Sequence, residues 1–185
     1  IVAKLTSGSV DVAAVPTNLG AVLHSKTNGN IQLIAINTLG VLYVLENGNS
    51  VQSIADLKGK TISTSGQGAT PEYALNYLLE QNGLVPGQDV TVNFLSEHAE
   101  LATLVATGKA DLVMLPEPFV TSVMAKNSDL RIALDITKEW RQATAKAGTP
   151  GAELTMGCLV ARKDFVEANK EALDTFLTEY EASTA

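Results

Sequence analysis

The strongest constraint on this chain is that it carries one unit twice, one hundred positions apart. Lys4 to Asn18 reads KLTSGSVDVAAVPTN, and Leu104 to Pro118 reads LVATGKADLVMLPEP. Gly8 matches Gly108, Asp11 matches Asp111 and Pro16 matches Pro116, with four apolar residues between Asp and Pro in both copies. Each copy reads as a helix closed by a glycine, the residue that reaches positive φ without a Cβ penalty. A short polar turn and a four-residue apolar strand follow, the strand predicted to be buried on both faces. Proline, with no N–H to give, stops the strand at its carboxyl end. Ligands in open α/β sheets bind just outside such ends. The two copies deliver Thr17-Asn18 and Glu117 as polar tips, so two similar lobes with tips facing a common cleft are expected. A chance repeat of helix, glycine, strand and proline is the competing explanation.

At 185 residues the chain can form one ample domain or two small ones. Its net charge of −7 offers no basic stripe for phosphates, and its arginines, Arg131, Arg141 and Arg162, are scattered, which argues against nucleic acid as a partner. No window is apolar enough for a membrane-spanning helix. The single Cys158 lies in the apolar run TMGCLVA and reads as a small buried hydrophobe that cannot form an internal disulfide. IVAKLTSG, the opening stretch, reads as a last turn or two of helix, so a further N-terminal piece of the fold is expected upstream.

Strand and helix signals alternate along the chain. Strands are expected at Val12 to Val15, Ile31 to Ile36, Val41 to Leu45, Thr61 to Ser63, Val90 to Leu95, Leu112 to Leu115, Leu130 to Ile136 and Leu154 to Val160. Helices are expected from Thr17 to Lys26, Thr70 to Gln81, Glu97 to Thr107, Pro118 to Lys126 and Asp164 to Tyr180, with Thr17, Thr70 and Ser96 as caps. Such alternation predicts parallel α/β sheets.

The most ligand-like stretch is the loop after the Thr61 strand: Ser65, Gly66, Gln67, Gly68, Ala69 and Thr70. Pro71 suits the first turn of the helix it opens, and Glu72 falls early in that helix. Backbone N–H groups at the positive end of the helix dipole suit a carboxylate, sulfonate, phosphate or polar heterocycle. The loop lacks the lysine and spacing of a phosphate-binding P-loop; an ordinary capped strand-to-helix loop is the plainer reading. Asn18, Asn37 and Thr38 fall just past strand ends, where amides and hydroxyls make neutral ligand contacts. Glu117, held between two prolines, can meet a ligand amine or bond across lobes. Of the two histidines, His24 reads as a helix-surface residue, and His98 follows a strand end where it can face a ligand. The lone Trp140 suits either stacking on a ligand or anchoring a surface. No nucleophile–base pair, metal spacing or cofactor motif occurs, so the reading is a polar binding pocket with no catalytic residue, metal or cofactor.

The pieces DVAAVPTN, INTLGVLYVLENG, IADLKGKTISTSGQGATPEYALNYLL, GKADLVMLPEP and MGCLVARKDF closely resemble the solute-binding proteins of ABC transporters. Within them the match is to the group of nitrate, sulfonate and thiamine-pyrimidine-precursor binders, over essentially the whole chain. The resemblance implies a two-lobed periplasmic-binding-protein type II fold, the Venus-flytrap arrangement, truncated here at the N-terminus. Lobe I would be residues 1–57 and 154–185, still incomplete, and lobe II the inserted 58–153. It implies a ligand set of Pro16, Thr17, Asn18, Asn37, Thr38, the loop Ser65 to Thr70, His98 and Glu117. It also implies a small polar or anionic ligand, the permease transmembrane subunits of an ABC importer as partners, and a monomer outside the cytoplasm, lipid-anchored through a leader that precedes this sequence. Two other functions fit the same fold: an enzyme of pyrimidine- or menaquinone-precursor synthesis using His98 or Glu117, and the effector-sensing domain of a transcription regulator.

Overall fold

A computed structural model of the chain describes residues 1–184. The first copy of the repeat forms α1 (Val2–Thr6) and β1 (Val12–Pro16), and α2 (Thr17–Lys26) and β2 (Ile31–Leu39) follow. Next come β3 (Leu42–Asn47), a 3-10 turn (Ile54–Leu57), β4 (Thr61–Ser65), α3 (Thr70–Gln81) and β5 (Thr91–Leu95). The second copy forms α4 (His98–Ala106) and β6 (Leu112–Pro116), and it leads into α5 (Phe119–Met124), β7 (Leu130–Asp135) and α6 (Ile136–Lys146). β8 (Thr155–Arg162), α7 (Lys163–Ala168) and α8 (Lys170–Thr184) complete the order. The repeat has the expected local form. Gly8 and Gly108 sit at φ 75° and 68°, and Pro16 and Pro116 are the last residues of their strands.

The chain divides into two units, Ile1–Leu39 with Thr155–Ala185, and Gly40–Leu154. The expected boundary at residue 57 is therefore corrected. β3 pairs with β6 and with β7, so the backbone hydrogen bonds of Leu42–Asn47 assign this strand to the second unit. At the other boundary, Leu154 stays with the second unit.

In the first unit a three-stranded sheet runs β1-β8-β2, with both pairings antiparallel. The expected parallel sheet fails here because β8, which returns from the second unit, inserts between the first two strands. Ala13 and Val15 share a face with Val160 and Cys158 and pack with Leu5, Leu23 and Ile31. Gly20 of α2 lies against β8 so closely that a Cβ would stand 2.7 Å from Cys158 Sγ. The alternate residues of β1, Ala14 and Pro16, are exposed, so this strand is buried on one face only.

The second unit builds a five-stranded sheet, β5-β4-β6-β3-β7. β4 runs parallel to β5 and β6, whereas β3 runs antiparallel to β6 and β7. β6 lies inside this sheet, and its Leu112 to Leu115 are all buried. Val113 and Leu115 join Leu45, Leu101, Val105, Val120 and Val123 in one core. The alternating Leu112 and Met114 face the other side, where α3 packs on β4 and α6 packs on β3. α3 turns Ala74, Leu75, Leu78 and Leu79 inward, the spacing of one helical face.

The helix ends depart from the sequence reading. The N-caps are Pro16, Ala69 and Glu97 rather than Thr17, Thr70 and Ser96, and none makes a side-chain cap bond. The polar stretch around Trp140 is helix α6, capped by Asp135, whose carboxylate accepts the N–H of Lys138 at 3.1 Å. The C-terminal helix is broken in two at Asn169.

Candidate functional site

In the second unit the carboxyl end of β4 positions Ser65, only 3% exposed. The parallel pairing with β5 puts Ser65 in register with Leu95, just before the turn into α4. That brings Ser65 Oγ to 2.5 Å from Nδ1 of His98, the first residue of α4. When the hydroxyl donates to Nδ1, the imidazole proton sits on Nε2, which then becomes a second donor. Phe119 of α5 packs against His98, with ring centroids 5.4 Å apart and planes tilted by 43°. The sequence singled out Ser65 and His98 separately; their contact across 33 positions follows only from the sheet order. Phe119 was missed, though it directly follows the Glu-Pro pair.

The loop after β4 turns on two glycines, Gly66 at φ 80° and Gly68 at φ 73°, a region L side chains avoid. Two of its N–H groups are bonded within the loop and the first turn of α3. The Gly68 N–H donates to Glu72 Oε2 at 2.6 Å, and that of Ala69 to the Gly66 carbonyl at 3.0 Å. The exposed Gln67 stands between them, and Thr70 is the first residue of α3.

Glu117 lies just beyond β6 and its N–H donates to the Val41 carbonyl at 3.0 Å. Its carboxylate accepts the N–H of Thr121 at 3.1 Å and the Thr121 hydroxyl at 3.0 Å. The acid is thus held in place by the first turn of α5. Trp140 packs on Tyr77 at 4.9 Å, and its indole N–H is buried without a partner among the described residues.

In the first unit Pro16 of β1 and Thr38 of β2 are both in register with Gly157 of β8. Gly157 has no room for a side chain: a Cβ would lie 2.7 Å from Asn37 Oδ1 and 3.0 Å from Thr38 Oγ1. The Asn37 amide donates to the Tyr180 hydroxyl at 3.2 Å, and the Thr38 hydroxyl donates to Asn37 Oδ1 at 3.2 Å. Thr17 starts α2 with its hydroxyl buried and without a partner among the described residues, and Asn18 follows it. Pro16, Asn37 and Thr38 therefore cluster at one end of this sheet, with Thr17 and Asn18 following directly on Pro16. Tyr180, 143 positions from Asn37, carried no sequence signal for this role. His24 is engaged elsewhere, its Nδ1 2.9 Å from the Ile31 carbonyl oxygen.

Each unit thus presents polar groups at its strand ends, and the second adds a buried hydroxyl bonded to an imidazole and two glycines at positive φ. A family model described as "ABC transporter, phosphonate, periplasmic substrate-binding protein" matches residues 1–185. The chain belongs to this family of ABC-transporter substrate-binding proteins. Its members bind solutes and are not enzymes, and the family works outside the cytoplasm with permease subunits.

The periplasmic aliphatic sulphonate binding protein SsuA from Escherichia coli superposes with a TM-score of 0.73 at 16% identity, over 96% of this chain and 53% of that one. The alkanesulfonate-binding protein SsuA from Xanthomonas axonopodis pv. citri, bound to MOPS, gives 0.63 at 19% identity, over 97% and 57%. An ABC transporter protein from Parabacteroides distasonis gives 0.66 at 23% identity, over 92% and 56%. These likenesses show the periplasmic-binding-protein type II fold. The chain spans about half the length of these solved structures. Comparison with curated protein sequences gives no match.

Proposed function

We propose that this chain captures a small polar molecule, of nitrate, sulfonate or pyrimidine type, for an ABC importer and delivers it to the transmembrane permease subunits. The ligand contacts are Pro16, Thr17, Asn18, Asn37, Thr38, Ser65, Gly66, Gln67, Gly68, Ala69, Thr70, His98 and Glu117. The observation that carries the proposal is the 2.5 Å contact of Ser65 with His98, two ligand candidates met at the carboxyl end of a parallel strand. That contact holds the ring in place, and with the hydroxyl as its donor it leaves the Nε2–H for a polar ligand. The sulfonate binders among the structural relatives favour the small-acid members of the class. The working form in this proposal is a monomer tethered to lipid outside the cytoplasm.

A thermal-shift screen with nitrate, methanesulfonate, hydroxymethylpyrimidine and amino acids tests it. A ligand at about 100 times its Kd adds about 2.7 kcal/mol and raises Tm by several degrees. The expected result is one class of hits, recovered chemically unchanged, with the shift reduced in Ser65→Ala and His98→Ala. No hit in any class, or hits returned altered, would overturn it.

A further inference from the structure

We propose that Asn47 is a site of spontaneous covalent modification. Its side-chain amide is lost to attack by the Gly48 nitrogen, which leaves aspartate or isoaspartate in the loop that closes β3.

Asparagine followed by glycine is the pair in which this reaction meets least resistance, because glycine has no Cβ to shield its nitrogen. The sequence holds three such pairs: Asn28-Gly29, Asn47-Gly48 and Asn82-Gly83. All three asparagines are exposed, so access to water does not separate them. The glycine nitrogen does, because it must leave its acceptor before it can reach the asparagine Cγ. The Gly29 N–H is held by the His24 carbonyl at 2.9 Å and the Gly83 N–H by the Glu80 carbonyl at 3.0 Å. Both bonds belong to the turns that close helices α2 and α3. Asn82 is held a second time, its amide donating to the Leu78 carbonyl at 2.8 Å. The Gly48 N–H, one residue past the end of β3, has no acceptor among the described residues, and the Asn47 side chain has no partner among them.

The reaction needs only water. The Gly48 nitrogen bonds to Asn47 Cγ, the Cγ–Nδ2 bond breaks, and ammonia leaves with the proton that the nitrogen gave up. Water then opens the cyclic imide at either carbonyl. One opening restores the backbone with an aspartate; the other routes the chain through the side chain as isoaspartate, one methylene longer.

That extra length falls in a taut place. The Asn47 N–H donates to the Asp111 carbonyl at 2.9 Å, and the Gly48 carbonyl accepts from Arg131 Nε at 3.0 Å. Ser50 and Val51, just beyond, give their N–H groups to the buried Glu46. A longer chain between Asn47 and Gly48 draws the Gly48 carbonyl off Arg131 and loosens the Glu46–Arg131 cluster. β3 runs antiparallel to β6, and β6 parallel to β4, so this loop lies at the opposite end of the sheet from Ser65 and His98. The modification therefore lowers stability and leaves that pair alone.

The test is to incubate the intact chain in mildly alkaline buffer, native and in concentrated urea, and to locate each converted asparagine by fragmentation mass spectrometry. In the native protein Asn47 should convert about three- to tenfold faster than Asn28 or Asn82, the factor that one backbone hydrogen bond supplies. In urea the three rates should draw together, since the dipeptide is the same. Native rates that are equal, or led by Asn28 or Asn82, would overturn the proposal, as would a lead of Asn47 that persists unchanged in urea. Asn47→Gln, whose longer side chain cyclises far less readily, should keep its Tm through an incubation that lowers the wild-type Tm. A wild-type Tm that holds while Asn47 converts would overturn the link to the Glu46–Arg131 cluster.

Discussion

The two copies of the repeat have the same local form and different surroundings. Val12, Ala13, Ala14 and Val15 correspond position by position to Leu112, Val113, Met114 and Leu115. β1 lies at the edge of a three-stranded sheet and shows Ala14 to solvent, whereas β6 runs inside a five-stranded sheet with all four residues buried. Small alanines stand where packing is shallow, and large side chains where it is deep. The helices that follow differ in the same way. Gly20 of α2 has Cys158 Sγ where its Cβ would go, and its counterpart Val120 in α5 is itself a core residue. A four-residue apolar run therefore specifies a strand, and the position of that strand in its sheet decides how much each side chain contributes.

The charged groups of the two units contrast too. Glu46, 3% exposed, accepts the Ser50 N–H at 2.8 Å and the Ser50 hydroxyl at 2.5 Å, with Val51 N–H at 3.2 Å and Arg131 at 2.5 Å completing its shell. In the first unit Arg162 pairs with Asp164, a side chain that stays 65% exposed. Glu46→Ala leaves Arg131 with only the Gly48 and Val51 carbonyls as acceptors, strands the Ser50 and Val51 N–H groups, and should cost about 3 kcal/mol in urea denaturation. Asp164→Ala should shift the midpoint far less. Equal midpoints for the two variants would erase the contrast.

Met114→Ala removes a side chain that is 1% exposed and should cost about 2–4 kcal/mol, while Ala14→Ser in the other copy should stay within about 0.5 kcal/mol. Similar losses at both sites would mean that β1 is covered as fully as β6.

Gly20→Ala gains helix propensity but pushes a methyl into Cys158 and should cost about 1–2 kcal/mol net. Cys158→Ala in the same chain should recover most of that loss, a coupling read from the double-mutant cycle. Additive losses would show that the contact is not what requires glycine.

The smallest effect is on pH. Burial pushes the Glu46 carboxyl up, but the hydrogen bonds from Ser50, Val51 and Arg131 outweigh it and hold the group below its ordinary 4.5. A lowered folded-state value stabilises the fold above the ordinary range and gives that stability up as pH falls through the lowered value. Glu46→Gln should therefore flatten the acid limb of the stability profile, and an unchanged limb would exclude Glu46 as its source.

Local chemistry made much of this legible. Gly8, Gly108, Pro16 and Pro116 marked the element ends because each acts on its own backbone, and the alternation of elements gave the fold class. Sheet topology was not legible: β8 inserts between β1 and β2, and the pairing partners of β3 lie far along the chain. That same non-locality moved the unit boundary from residue 57 to Leu39. In the candidate site, residues at strand ends could be named, but their partners could not. The contact of Ser65 with His98 and that of Asn37 with Tyr180 depend on register, and the turning of Glu72 back onto Gly68 depends on loop geometry.

The central claim, a proposal, is that the Ser65–His98 pair meets the solute. Isothermal titration of the best ligand from the screen into wild type, Ser65→Ala and His98→Ala tests it most directly. The account predicts that each variant binds about tenfold more weakly, the loss of one well-placed polar contact, with the ligand recovered unchanged. Undiminished binding in either variant, or a ligand consumed during the titration, would contradict it.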